Sequence, residues 1–134
     1  MLEIKNLTGG YVNIPVLKDV SFEVGDGQLI GLIGLNGAGK STIINEIIGL
    51  LRPYAGEIRI DGLTLAASPS AYRQKIGYIP ETPSLYEELT LREHIETVAM
   101  AYDLDQEAVF ARVTPLLKQF RLEEKLDWFP VHFS

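Results

Sequence analysis

The chain has 134 residues, 46% apolar and 22% charged, with 12 basic against 18 acidic side chains and a net charge of −6. That composition excludes a disordered tail, a collagen and a coiled coil, and the length suits one domain or part of a larger one. The absence of cysteine excludes disulfides, thiolate metal sites, iron–sulfur clusters and a thiol nucleophile, and the acidic balance disfavours non-specific binding of DNA or anionic lipid.

Leu2–Leu7 and Val20–Val24 alternate like strands, and the Gly9-Gly10 pair predicts a turn between them. Gly25-Asp26-Gly27 predicts a second turn. Leu29–Ile33 is a continuous apolar run, which suits a strand buried on both faces of a parallel sheet. The longer run to Leu35 is far short of the ~20 residues of a membrane helix. The N-terminus, MLEIKNLTGG, has no basic region leading into an apolar one, so no signal peptide is expected.

Lys40–Leu51 has apolar residues at helical spacing, with Pro53 and Gly56 as stop signals. Glu57–Ile60 alternates, and Asp61-Gly62 predicts a hairpin into Leu63–Leu65. A helical turn is expected near Ala71 and a strand over Lys75–Ile79. Thr90 and Glu93 form a capping box for a helix reaching about Tyr102. Asp105 caps another, to about Phe120, which Pro115 should kink or divide.

Gly34-Leu35-Asn36-Gly37-Ala38-Gly39-Lys40-Ser41-Thr42 matches G-x-x-x-x-G-K-[ST]. Glycines let the backbone curl so that successive N–H groups point at phosphate oxygens. Lys40 reaches the β- and γ-phosphates, the Ser41 hydroxyl ligates Mg²⁺, and the helix start favours an anion. At average residue frequencies a chance match in this length is roughly one in a few hundred. The motif also follows an apolar run and opens an amphipathic helix, as its mechanism requires. ATP and Mg²⁺ are the expected ligands. Asn36, Gly37, Ala38, Gly39, Lys40, Ser41 and Thr42 form the expected cradle.

The chain resembles the nucleotide-binding subunits of ABC transporters, and more narrowly the Ecs-type ATPases. The resemblance rests on GLNGAGKST, on Tyr11 followed by VLKDVSFEV, and on Gly77-Tyr78-Ile79-Pro80-Glu81 with Leu89-Thr90-Leu91-Arg92-Glu93 after it. It implies that Tyr11 stacks on adenine and that Glu81 occupies the place of the Q-loop glutamine. There Glu81 would touch Mg²⁺ and the attacking water, and Lys40 and Glu81 become the catalytic candidates. The usual residue is Gln. A carboxylate also ligates Mg²⁺, but it sets a negative charge beside the γ-phosphate, so slower turnover is expected. Ecs-type members share the substitution; the bland alternative is a solvated loop carboxylate.

No Asp in the chain ends an apolar strand with a catalytic Glu after it. Asp61 sits in a hairpin, and Asp103 follows a capped helix. His94, in the first turn of a helix, is expected to have a surface or subdomain role rather than a catalytic one, and His132 to be structural or frayed. The resemblance implies that the stretch Asp127–Ser134 runs straight into the family's signature motif. The sequence therefore reads as an N-terminal fragment without Walker B, signature or switch histidine, expected to bind ATP but not to hydrolyse it at a useful rate.

Residues 87–107 carry seven acidic side chains and one basic, Arg92. A solvated face accounts for them. The resemblance instead brings Glu87 and Glu88 near a membrane subunit. It also implies a transmembrane transporter subunit and a second ATPase subunit as partners of the full-length protein, and a cytoplasmic location at the inner face of the membrane. Competing readings are a non-catalytic ATP-binding regulatory module and a small P-loop kinase or GTPase. The latter folds open almost directly on the P-loop strand, whereas 28 residues precede this one. The expected fold is α/β with a P-loop core and an antiparallel β region. Residues 1–81 hold the β region and P-loop core, and residues 82–134 a partial helical subdomain.

Overall fold

The computed structural model describes residues 1–12 and 14–133. The chain forms two compact units, Met1–Tyr78 and Ile79–Ser134. Ser134, the last residue of the stretch expected to lead into a signature motif, lies outside the described residues.

The first unit is built on an antiparallel three-stranded sheet, β1 (Leu2–Tyr11), β2 (Ile14–Val24) and β3 (Ala55–Ile60), in the order β2-β1-β3. Leu2 faces Val24 on one side and Ile60 on the other, and Tyr11 faces Ile14 at the hairpin end. Gly9 and Gly10 lie inside β1, contrary to the turn expected of them. The reversal comes after Tyr11, where Val12 takes a positive φ of 50°. β1 can continue through both glycines because its register shifts between Ile4 and Leu7, and again on either side of Gly9. Asn6 supplies the first shift with a φ of 50°, and its Nδ2 donates to Asp19 Oδ1 at 2.8 Å. The extra residue puts Ile4 and Leu7, three apart, on the same buried face.

Helix α1 (Lys40–Ile47) packs on that face, followed in the chain by the short α2 (Pro69–Arg73). The core is Ile4 and Leu7 of β1, Leu17 of β2, Ile43 of α1, Ile58 of β3 and Tyr72 of α2. α1 stops earlier than Pro53 and Gly56 suggest. Gly49, at φ 76°, reverses the chain, with Leu50 N–H bonded to Asn45 O at 2.8 Å and Gly49 N–H to Glu46 O at 3.2 Å. This Schellman closure satisfies the last carbonyls, so no proline is needed. Tyr72 Oη adds a bond to Ile47 O at 2.7 Å. The Asp61-Gly62 hairpin is present, both residues at positive φ and Ile60 and Leu63 exchanging both backbone bonds at 2.9 Å.

Neither Leu29–Ile33 nor Lys75–Ile79 forms a strand, which corrects both expectations. Leu29 is 99% and Ile33 95% exposed. A parallel strand is held by partners on its edges and layers on both faces. Among the described residues, β1 is already paired on both edges and neither run meets a strand partner.

The second unit contains α3 (Leu91–Ala101) and α4 (Gln106–Gln119). Thr90 and Glu93 make the full capping box. Asp105 caps α4 through Ala108 N–H at 2.8 Å. Two of the seven acidic residues are thus used as caps. Pro115 does not divide α4, because a missing N–H frees only one carbonyl of the helix. Residues 126–128 return to the start of α3: Leu91 N–H bonds Trp128 O, Arg92 N–H bonds Leu126 O, and the Arg92 guanidinium pairs with Asp127 at 2.8 Å. Thr90→Ala is expected to cost about 1 kcal/mol. Hydrogen exchange at the Glu93 amide should then speed roughly fivefold, and an unchanged rate would remove the cap from the account.

Candidate functional site

The loop from Gly34 to Gly39 and the start of α1 form the site. Gly39 is the N-cap at φ 94°, and no side chain caps the helix. The first amides of α1 therefore lack intrahelical partners and are available to an anion. No acidic residue occupies the first turn to oppose one. Gly39 is required twice over. Its φ is left-handed, and a Cβ there would come within 2.7 Å of Leu17 Cδ2. Leu17 is a core residue of β2 and leaves no room for that Cβ. Gly37 also takes a positive φ, 83°. Ala38 N–H closes a turn onto Leu35 O at 3.1 Å.

Lys40 folds back over its own loop, where Nζ donates to Gly34 O at 2.7 Å and Leu35 O at 2.8 Å. These bonds hold the ammonium at the loop that would receive the phosphates. Ser41 is exposed, whereas Thr42 is only 4% exposed. Of the two hydroxyls, only the Ser41 side chain faces solvent. Asn36 and Ala38 are exposed on the loop. Tyr11 closes β1 at 47% exposure, and its hydroxyl accepts from Asn45 Nδ2 of α1 at 3.3 Å. The first unit thus holds Tyr11 and all seven cradle residues.

Glu81 belongs to the second unit, exposed on a bend of that unit's irregular first segment. Among the described residues, no group of three or more His, Cys, Asp or Glu is placed to hold a metal. A Mg²⁺ held mainly by nucleotide phosphates, with one protein hydroxyl or carboxylate, fits that donor set. His94 makes its hydrogen bonds within its own unit. Its Nε2 accepts from Tyr86 N–H at 3.0 Å and its Nδ1 lies 2.8 Å from Thr90 O.

Sequence reasoning missed Glu46. This carboxylate is 2% exposed, two turns into α1, and neither oxygen has a hydrogen-bond partner. It lies against Gly9, where a Cβ would overlap Oε1. Burial raises its pKa above the ordinary 4.5. The sequence signal was a carboxylate beside Ile47 on a helix whose stripe Ile43, Ile44, Ile47 and Ile48 is apolar.

The ABC transporter family pattern matches residues 17–132. The chain is 58% identical over its full length to the ABC-type transporter ATP-binding protein EcsA of Bacillus subtilis (strain 168), covering 54% of that protein. It is 37% identical over 130 residues to the SkfA peptide export ATP-binding protein SkfE of the same strain, covering 52% of it. A solved ATP binding subunit of an ABC transporter superposes on the whole chain with a TM-score of 0.94 at 55% identity, 56% of that chain being covered. The dimeric post-hydrolysis form of the ATP-binding cassette MJ0796, bound to ADP and Pi, superposes with a TM-score of 0.79 at 28% identity; 63% of it is covered. The chain spans about half the length of the curated relatives it matches. The loop, the helix it opens and these likenesses agree: the chain belongs to the ABC transporter family, as part of an ATP-binding domain with the P-loop α/β fold.

Proposed function

We propose that this chain binds MgATP as the P-loop portion of an ABC transporter ATPase subunit. One observation carries the reading: the glycine loop opens an uncapped helix while Lys40 lies folded over it. The loop and first-turn amides of α1 take the phosphates. Lys40 exchanges its carbonyl partners for phosphate oxygens, and Tyr11 supplies the base platform. Ser41 is assigned to Mg²⁺. Glu81 is assigned to Mg²⁺ and the attacking water; its place in the Gly77–Glu81 stretch that resembles the Q-loop, and its exposure, support the role. Bound Mg²⁺ would neutralise charge on the phosphates.

Binding, not turnover, is the property assigned to these 134 residues. They contain no apolar strand ending in an Asp–Glu pair. In the whole protein, hydrolysis would be coupled to a transmembrane subunit and a second ATPase subunit. Among the described residues, no helix is long and apolar enough to cross a membrane. Relatives named for export support an exporting role more than an importing one.

Thermal melting with and without MgATP tests the reading. A ligand at 100 times its Kd adds about 2.7 kcal/mol, which should raise Tm by several degrees. A Tm indifferent to MgATP would contradict it, and steady phosphate release would contradict the binding-only assignment.

A further inference from the structure

We infer that Asn45 is a positioning residue that fixes the Tyr11 ring relative to the phosphate loop; the inference rests on the reading that Tyr11 carries the adenine. Tyr11 ends β1 next to Val12, which is 91% exposed at a strained φ of 50°. At 47% exposure the ring is only half held by packing. The Asn45 carboxamide, donating from Nδ2 at 3.3 Å, links its hydroxyl to α1 across 34 residues of sequence.

The link is useful because of where Asn45 sits. It is four residues after Ser41, so both project from one face of α1, a single turn apart. Its own backbone is held at the helix end, because its carbonyl accepts from Leu50 N–H at 2.8 Å and Leu51 N–H at 3.0 Å. The helix that presents amides and Ser41 to phosphates therefore also carries the group that holds the ring. ATP must span both at once, so a fixed ring-to-loop spacing lowers the ordering cost of binding. Inorganic tripolyphosphate touches only the loop and gains nothing from the link.

The test is a set of titrations of the 134-residue chain with MgATP and with magnesium tripolyphosphate, for the native sequence, N45A, Y11F and the double variant. Y11F keeps the ring but removes the hydroxyl, at an exposed position where folding is not at stake. A neutral hydrogen bond of this kind predicts about 3- to 10-fold weaker MgATP binding for each single variant. Tripolyphosphate binding should be unchanged, and the double variant no worse than either single. Native-like MgATP affinity in both singles would overturn the inference while leaving ATP binding intact. So would equal losses for ATP and tripolyphosphate, or additive losses in the double variant. A native chain that prefers tripolyphosphate to ATP would overturn the Tyr11 reading, and the inference with it. One that binds neither would overturn the proposed function itself.

Discussion

Lys40→Ala is expected to weaken MgATP binding by about 10- to 100-fold, the equivalent of one charge-assisted hydrogen bond worth ~1.5–3 kcal/mol. Lys40 Nζ already lies within 2.8 Å of the Gly34 and Leu35 carbonyls. The ammonium is thus held at the loop before any ligand arrives, and little side-chain entropy remains to be lost on binding. Lys40→Arg should not restore affinity, because a planar guanidinium cannot replace a compact ammonium folded onto two neighbouring carbonyls. Isothermal titration of the three chains checks this. Equal affinity in K40A would mean that the loop is not where the phosphates bind.

Glu46→Met is expected to stabilise the chain by about 1–3 kcal/mol at pH 7.5, raising Tm by several degrees. The native carboxylate is buried with both oxygens unpaired, so ionising it inside the fold is unfavourable. Met keeps the length and removes the charge. The pH dependence gives the sign. The folded chain holds the Glu46 proton more tightly than the unfolded chain, whose carboxyl titrates near 4.5. Stability from this group is therefore fully present below about pH 4.5 and is lost as pH rises through the raised folded value. The E46M advantage should accordingly shrink on acidification. Denaturant melts at pH 4 and pH 7.5 measure it, and an advantage that grows towards low pH would contradict the burial argument.

The same carboxylate explains Gly9. A methyl group there would overlap Glu46 Oε1, so G9A should cost about 1–3 kcal/mol through overpacking. The cost should fall when Glu46 is shortened to Ala, giving a coupling of about 0.5–3 kcal/mol in the double-mutant cycle.

The parts of this structure legible in the sequence are those fixed by short-range chemistry. The glycine loop and Lys40, the Asp61-Gly62 hairpin and the Thr90–Glu93 box each need only a few adjacent residues of the right type. What was not legible depends on partners distant in the chain. Gly9 and Gly10 carry a strong turn signal, yet Gly9 serves to admit a side chain 37 positions later. The Leu29–Ile33 run has strand composition, but a strand also needs an edge to pair with, and composition does not supply one. α1 stops at Gly49 although its apolar periodicity continues through Leu51, because a left-handed residue and two backbone bonds outweigh periodicity. Within the site, the residue types of the cradle were readable. The Asn45–Tyr11 bond joins residues 34 apart, and no local pattern announces it.

In the proposed function the Gly34–Thr42 loop binds the phosphates of ATP. Titrating MgATP into the native chain and into K40A by calorimetry, side by side at one ionic strength, tests it most directly. Saturable binding to the native chain and a loss of about 10-fold or more in K40A are expected. Equal heats and equal affinities for the two chains would contradict it.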